Sequence, residues 1–411
     1  MFMKKKYKIL LSAYACEPNV GSEPGVGWNW AIEIKKLGHE ILIITRKNNK
    51  KVIEKELLTN KILNKKNFYY FDLPKFFKVL KKIIPAGVNL YYYLWQYYLY
   101  QKLKGENFVK NFDIIHHITF GVFRHPSFLW KFNKKFIFGP VGGYELMPKI
   151  IKKNLSIRNR LNENLREISN FFFLKFDSNL KDFLNSKRII FFSKTKDTKY
   201  NLKKYYNKNI FISSEIGIDT KYEKKVIIRK EIKNFLFIGR SLYWKGGDIL
   251  IDAFNLALKK NKNIRLSFYT EGREKNNWKR KVSDYNLGQY IKINGWVNHS
   301  KMNSIYKSND VFIFPSLHDS SGNVLLEALS NSLPVLCLNI GGPGEIITSN
   351  CGIKVNINQK STEQSIVKQL SNNIIKITEN RKLYSKLSKG ALLRAKTMSW
   401  KQAVKNVYDL I

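Results

Sequence analysis

The feature that most constrains the fold is an alternation of short apolar runs with helix-like segments, which occurs twice along the chain. Parallel strands buried on both faces read as continuous apolar runs, and neighbouring parallel strands need helical crossovers. The first series comprises residues 7–14, 40–45, 67–73, 113–120, 135–141 and 188–193, and the second comprises 234–240, 264–272, 290–295, 310–316 and 333–339. The pattern predicts an α/β protein with two Rossmann-like, doubly wound domains.

The length of the chain supports the same division. Its 411 residues exceed what one hydrophobic core usually organises. A polar segment around residues 217–228 separates the two series and is predicted to be the linker. We therefore expect an N-terminal domain at 1–218 and a second domain from 219, facing each other across a cleft. In open parallel sheets, ligands bind outside the carboxyl ends of the strands.

Composition narrows the classes of partner. The formal net charge is +42, but the lysines are scattered among many Asn, Ile and Tyr residues. This distribution favours an anionic ligand or an anionic membrane surface, and we expect no nucleic-acid partner. The three cysteines have no paired spacing, which fits a reducing, cytoplasmic compartment without disulfides. No run of about 18 uncharged apolar residues occurs, so no membrane-spanning helix is predicted.

Two segments allow alternative interpretations. The N-terminal stretch "MFMKKKYKILLSAYAC" resembles a secretory signal, but it passes directly into a glycine-rich loop, and we expect it to be the first strand. The aromatic and basic stretch at 75–104 contains Pro85 and Gly87. It either forms helices that face the core, or presents an amphipathic surface to a membrane or a lipid-bearing acceptor.

The stretch "EPNVGSEPGVGWNW" places glycines ahead of a helix predicted from Trp28 to Leu37. Without Cβ atoms, Gly25 and Gly27 would let a ligand approach backbone N–H groups and the positive end of the helix dipole. The alternative is a tight turn between strand and helix.

Three loops of the second series share the same polar, glycine-rich character. In "GRSLYWKGGD", Arg240 and Lys245 precede two glycines and a helix start, which suits a diphosphate, although each could be a solvated cation. In "PSLHDSSGNVLLEALSNSLPV", Asp319 precedes a turn containing Gly322, and Glu327 follows eight residues later. Glu327 on an apolar helix would be costly unless it accepts hydrogen bonds, for instance from sugar hydroxyls. The third loop is "NIGGPGEII".

Together with "GSEPGVGW", "GPVGG" and "INGWV", these loops resemble those of the family 4 glycosyltransferases, which have the GT-B fold. The resemblance covers nearly the whole chain. It implies a hexosyltransferase that uses a nucleotide-sugar donor, either a UDP-sugar or a GDP-sugar, and retains the anomeric configuration. It also implies a glycan or lipid-linked acceptor and a role in cell-surface polysaccharide synthesis, such as that of lipopolysaccharide.

The family pattern further implies a division of labour between domains. The first domain would bind the acceptor and residues 219–390 the nucleotide sugar, while residues 391–411 would form a closing helix on the first domain. Such an enzyme would work in the cytoplasm or peripherally on the inner face of the membrane.

Site residues follow from the resemblance position by position. Glu327 would bind the donor ribose, and Arg240 and Lys245 its diphosphate. The backbone of Gly322, Asn323 and Val324 would hold the transferred sugar or phosphate. The backbone of Val297 and its neighbours would contact the base. Gly25 and Gly27 would approach the diphosphate. The chain departs from the family at Asp319, where a glutamate is usual, and we expect Asp319 to contact the sugar with a shorter reach.

The acceptor side is expected to contain Gly142, Gly143 and one of two adjacent histidines. In the resembled family an active-site histidine accompanies a strand with the "D-x-x-H" pattern, and the adjacent His116 and His117 are the two candidates in this chain. Strand alternation allows only one of them to face the cleft. We predict that His117, nearer the strand end, is catalytic, and that His116 lies on the acceptor side or is structural.

The sequence also bears on mechanism. No D-x-D sequence occurs, so we expect neither a metal-bridged diphosphate site nor any cofactor. Cationic side chains and helix ends would then stabilise the departing diphosphate. The alternative functions are a nucleotide-sugar epimerase or hydrolase of the same shape, or a non-catalytic basic protein that binds surfaces.

Overall fold

The computed structural model describes residues 5–83, 87–206, 208–219, 229–358 and 360–411. Most of the predicted linker, residues 220–228, and Pro85 lie outside these ranges. The strands are β1 (Lys8–Ser12), β2 (Glu40–Arg46), β3 (Phe68–Phe71), β4 (Ile114–His117), β5 (Lys135–Val141), β6 (Ile189–Ser193), β7 (Ile210–Ile212), β8 (Asn234–Ile238), β9 (Arg265–Tyr269), β10 (Ile291–Asn294), β11 (Val311–Phe314), β12 (Val335–Leu338) and β13 (Gly352–Val355).

These strands form two parallel sheets. The first has the order β3-β2-β1-β4-β5-β6-β7, and the second has the order β10-β9-β8-β11-β12-β13. Every predicted apolar run contains a strand, so the prediction of two doubly wound sheets is confirmed. Among the strands in the described residues, the sequence analysis missed two edge strands, β7 and β13, which are three and four residues long.

The helices cover both faces of each sheet. They are α1 (Ser22–Lys36), α2 (Lys50–Glu56), α3 (Lys75–Ile83), α4 (Gly87–Gly105), α5 (Lys149–Asn154), α6 (Ile157–Phe176), α7 (Ser178–Asn185), α8 (Lys196–Leu202), α9 (Gly247–Leu258), α10 (Lys275–Asp284), α11 (His299–Ser308), α12 (Asn323–Ser330), α13 (Gly341–Ile346), α14 (Glu363–Glu379), α15 (Arg381–Thr397) and α16 (Trp400–Tyr408). Helix α12 begins where the sequence predicted, whereas α1 begins at Ser22 rather than Trp28.

The core has two parts. On one face of the first sheet, buried aromatic residues of α4, including Tyr92 and Trp95, pack over β1 and β5. On the other face, α1 and α16 join the core of the first sheet to that of the second. Within the segment 75–104, α4 faces the core as predicted, while α3 exposes Phe76, Val79 and Ile83. Contact of this exposed surface with a membrane or an acceptor stays a prediction.

The chain returns to the first domain at its C-terminal end. Helix α15 runs continuously through the predicted boundary between residues 390 and 391. Helix α16 then packs on α1, and its Tyr408 hydroxyl lies 2.9 Å from His116 Nδ1 at the first sheet. A closing helix on the first domain is thus present, but it begins at Trp400.

Candidate functional site between the two sheets

The topology of the second sheet locates a crevice. Its strand order reverses between β8 and β11, which are direct neighbours. At such a switch point the loops after the two strands diverge and leave room for a ligand. Arg240 and Lys245 follow β8, and Asp319 and Gly322 follow β11, so the fold brings four predicted site residues to this edge.

Lys245 and Asp319 contact each other directly. The Lys245 ammonium forms an ion pair with Asp319 Oδ2, and both side chains are mostly buried. The ammonium also lies 5.0 Å from the centre of the Phe314 ring. A cation held at a strand end by a carboxylate and an aromatic face is positioned for an anionic ligand that approaches the crevice.

Glu327 lies one turn inside α12, where it accepts a hydrogen bond of 2.8 Å from the Tyr306 hydroxyl. Burial, and then the neighbouring Glu327, raise the pKa of Tyr306 well above its ordinary value, so the phenol keeps its proton and acts as the donor. This contact fixes one carboxylate oxygen of Glu327 and orients the side chain.

Glu327 lines a cavity of about 530 Å³ that both domains contribute to. Asn323 of α12 lies on one side of it, and Gly21, Gly25 and Asn29 of the first domain lie on the other. Arg240 is exposed and lines a second cavity, of about 870 Å³, between α6 and the loops after β8 and β9. The structure therefore brings Glu327, Asn323 and Gly25 together but places Arg240 in the lining of a different cavity.

The glycine-rich stretch is helical rather than a loop, which corrects the expected start of α1. A Cβ atom on Gly25 would overlap the carbonyl oxygen of Val20, and one on Gly27 would overlap that of Ala15. Both glycines are thus required for close packing of α1 against the chain that precedes it. Gly25 also lines the cavity that contains Glu327, whereas Gly27 is buried against Ala15.

The prediction that one of the two adjacent histidines faces the cleft does not fit this structure, because both are completely buried. His116 lies between Tyr408 and the carbonyl of Gly139, and His117 lies between the Tyr92 hydroxyl and the backbone N–H of Ser127. Burial lowers the pKa of His116 to about 4 and, together with His116, that of His117 to about 3. Both rings are neutral hydrogen-bonded residues of the first domain.

Gly142 and Gly143 lie at the contact between the domains. A Cβ atom on Gly142 would be 2.6 Å from that of Ser320, and the N–H of Gly143 donates to Glu145 Oε2 over 2.8 Å. Gly143 has a φ of +103°, a conformation that favours glycine. Two other predicted positions, Val297 and Val324, are half-buried after β10 and at the start of α12.

Sequence reasoning missed a buried ion pair that connects the domains. Lys194 Nζ lies 2.6 Å from Glu215 Oε2, and the Ser321 hydroxyl of the second domain donates to the other oxygen of Glu215. Burial raises the pKa of Glu215, although Lys194 and Ser321 lower it. Lys194 and Glu215 stand just after β6 and near the end of β7, so their position at the carboxyl edge of the sheet was the available signal.

A second connection between the domains involves α6. Glu163 accepts a hydrogen bond of 2.7 Å from the Tyr243 hydroxyl and lies 2.8 Å from His318 Nε2. Burial alone would raise the pKa of Glu163, but these contacts and Arg166 hold it at about 2. Glu163 is thus an ionised acceptor at the edge of the cleft.

Two features are absent from the ranges that the structure describes. There, no cluster of three or more His, Cys, Asp or Glu side chains is arranged to hold a metal ion. The described helices likewise include none with the length and apolar character needed to cross a membrane.

The second domain matches a known family. Residues 219–394 match the sequence model of glycosyl transferases group 1. An uncharacterized glycosyltransferase of Methanocaldococcus jannaschii is 31% identical over 139 residues, which are 32% of this chain and 35% of that protein. The chain spans about a third of the length of the curated relatives it matches.

Solved structures match over the whole chain at low sequence identity. A glycosyltransferase from Rickettsia africae superposes with a TM-score of 0.62 at 17% identity, covering 98% of this chain and 97% of that one. WaaG, a glycosyltransferase involved in lipopolysaccharide biosynthesis, gives a TM-score of 0.62 at 16% identity, covering 98% and 99%. With its two parallel sheets of seven and six strands, the chain has the GT-B fold.

Proposed function

We propose that this protein is a retaining glycosyltransferase of family 4, which moves a hexose from a UDP-sugar or GDP-sugar to a glycan or lipid-linked acceptor. The observation that carries the proposal is Glu327, held by Tyr306 in a cavity that both domains line. The family match of residues 219–394 supports the same conclusion, because it covers the domain that contains Glu327.

The donor would span the switch point of the second sheet. Its ribose hydroxyls would donate to the Glu327 carboxylate, and its diphosphate would approach Lys245 and the start of α12. The helix N-terminus adds unpaired N–H groups and a partial positive charge. Arg240, which is exposed and lines the second cavity, would reach the outer phosphate or the sugar.

Departure of the nucleotide diphosphate builds negative charge, and we assign its stabilisation to Lys245, Arg240 and the α12 N-terminus. Groups that are fixed before the reaction stabilise such charge most effectively. Asp319 would position Lys245 through their ion pair and accept a hydrogen bond from the transferred sugar. In this proposal no metal ion is required.

The acceptor would enter from the first domain, near Gly142 and Gly143. We place the reaction at the cytoplasmic face of a membrane, in the assembly of a surface polysaccharide. Two observations support this placement. WaaG, which is similar in fold, is involved in lipopolysaccharide biosynthesis, and helix α3 combines exposed Phe76 and Val79 with several lysines.

Nucleotide binding tests the proposal. We expect UDP or GDP to bind saturably in a calorimetric titration, and Glu327→Gln to raise the Kd about 10- to 150-fold. That range corresponds to the ~1.5–3 kcal/mol contributed by a hydrogen bond to a charged acceptor. The Gln side chain still accepts from Tyr306, so the fold is retained. Glu379→Gln, which changes an exposed carboxylate at the end of α14, is the matched control and should bind normally.

An unchanged Kd in Glu327→Gln would refute the assignment of Glu327 to the ribose. Absence of saturable binding by both nucleotides would instead favour a basic protein that binds surfaces without catalysis. Release of free sugar from a nucleotide sugar, without any transfer to added glycans, would favour the hydrolase alternative.

A further inference from the structure

Helix α6 carries a continuous apolar stripe that faces away from the protein. Seven large apolar side chains on this 20-residue helix are each at least 50% exposed. At 3.6 residues per turn they fall within an arc of roughly 140°. They are Ile157, Leu161, Leu165, Ile168, Phe171, Phe172 and Phe176.

The opposite face of α6 is polar and contacts the rest of the protein. Glu163 bonds Tyr243 and lies beside His318, Arg166 donates to the carbonyl of Glu145, and Asn170 accepts from a neighbouring guanidinium. A helix on the surface of a soluble domain normally buries its apolar face and exposes its polar one. Helix α6 has the reverse arrangement, so its outer face is suited to apolar surroundings.

Behind the stripe, aromatic contacts connect α6 to the α3–α4 segment, which has exposed apolar side chains of its own. The ring of Phe173 on α6 lies 4.9 Å from that of His125, which lies 6.2 Å from Tyr93 on α4. Tyr98 of α4 in turn contacts Phe77 of α3, with 5.7 Å between ring centres. Exposed apolar surface of this extent marks an interaction site.

We propose that α6 lies on the surface of an anionic bilayer and, with α3, holds the cleft against the membrane. Charge selects this occupant over a second copy of the chain. Arg158, Arg160 and Lys175 are exposed on α6, and Glu167 is paired with Lys152 at 2.8 Å. A chain of net charge +42 repels its own copies but is attracted to anionic head groups.

The consequence for catalysis rests on the proposed glycosyl transfer. Because Glu163 on the inner face of α6 contacts Tyr243 beside Lys245, a membrane-bound α6 places the cleft within reach of a lipid-linked head group. The apolar face would insert among the head groups, as interfacial amphipathic helices do.

Vesicle sedimentation tests the inference. We expect the full-length protein to pellet with vesicles of phosphatidylcholine and phosphatidylglycerol, and the triple variant Leu161→Ser, Leu165→Ser, Ile168→Ser to bind at least tenfold more weakly. These side chains are exposed, so the variant should fold. Leu58→Ser and Leu393→Ser, at positions 81% and 63% exposed elsewhere on the surface, are matched controls that should bind as the wild type does. Replacing Lys78, Lys81 and Lys82 with Glu should weaken vesicle binding and should make the remaining vesicle binding less sensitive to salt concentration.

Wild-type binding by the α6 triple variant would overturn the inference. A second outcome would also overturn the inference: the wild type is a dimer in solution, and the triple variant is a monomer that binds vesicles as the wild type does. The stripe would then bind a second copy of the chain. Calorimetry with UDP and GDP on the same proteins separates this inference from the proposed function. Vesicle binding that depends on α6, without nucleotide binding, would support membrane docking and refute the transferase; the reverse result would refute only the docking.

Discussion

Replacing Lys194 with Met should reveal how strongly the buried ion pair contributes to the stability of the protein. The Lys194 and Glu215 side chains are 8% and 7% exposed, and the ammonium lies 2.6 Å from Glu215 Oε2. Removing one partner of a buried pair costs about 3–5 kcal/mol, because the other charge is left uncompensated. Ser321 still donates to Glu215 in the variant, so we expect a loss near the lower limit, ~3 kcal/mol.

The loss should depend on pH in a defined direction. Burial raises the pKa of Glu215 even with Lys194 present, and removing the ammonium raises it further. A carboxyl group whose pKa is higher in the folded state binds more protons there, so the free energy of unfolding falls as pH rises from the unfolded-state pKa through the folded-state pKa. Lys194→Met should therefore be least destabilising at the acid end of this window and most destabilising above it.

Urea unfolding at pH 5 and pH 8 measures both effects. The matched control is Lys196→Met, since Lys196 pairs with Glu345 but its side chain is 76% exposed, and exposed pairs contribute about 0–1 kcal/mol. The double variant Lys194→Met, Glu215→Gln removes both charges of this pair and should recover most of the loss. The reasoning is refuted if Lys194→Met is as mild as Lys196→Met, or if the two substitutions in the double variant are simply additive.

Two further predictions concern the site and the start of α1. If Lys245 and the α12 N-terminus stabilise the leaving diphosphate, glycosyl transfer should persist in excess chelator and should be lost in Lys245→Ala. Inhibition of transfer by the chelator, followed by its restoration with magnesium or manganese, would contradict this prediction. Gly27→Ala should lower the free energy of unfolding by about 1–3 kcal/mol, because the added Cβ atom would overlap the carbonyl oxygen of Ala15. The control is Gly105→Ala, which should be neutral or slightly stabilising because no atom lies within 4 Å of the added Cβ atom. Equal melting temperatures for the two alanine variants would show that α1 relaxes freely.

The strands could be predicted because a parallel sheet leaves a direct trace in sequence. The predicted strands are buried at most positions and are therefore mainly apolar, and the crossover geometry requires helices between them. The same logic placed Arg240, Lys245 and Asp319 at the carboxyl ends of strands, where ligands bind, but it did not give the strand order that creates the switch point. The edge strand β7 was missed because three residues are too few for a pattern, and β13 was missed because its sequence, GIKV, contains a glycine and a lysine and is not a continuous apolar run.

The start of α1 was mispredicted because local propensity and tertiary packing disagree there. Glycine is unfavourable inside helices, so Gly25 and Gly27 suggested a loop. In the structure, both lie where a Cβ atom would overlap backbone, and packing outweighs propensity. Glu23 and Pro24 in the first turn are typical of a helix N-terminus and were the signal that the glycines obscured.

The two histidines show a different limit. Strand alternation correctly placed His116 and His117 on opposite faces of the first sheet. It could not show that both faces are covered at that point. His116 is covered by Tyr408, 292 residues away in sequence, and His117 by Tyr92 of α4. The contact of His116 with Tyr408 forms because α16 returns to the first domain. No sequence pattern near β4 predicts that return.

Helix α6 shows why a periodic pattern alone does not fix the orientation of a helix. The pattern of Leu161, Leu165 and Ile168 predicts that these residues share a face, and the usual assumption is that such a face is buried. Here the polar face is the one with specific partners, because Glu163 accepts from Tyr243 and Asn170 from Arg124. Burying the stripe instead would turn the Glu163 carboxylate away from Tyr243 and His318, the contacts that hold its pKa at about 2. The polar contacts therefore determine which face is inside, and the apolar face is left for the surroundings of the protein to cover.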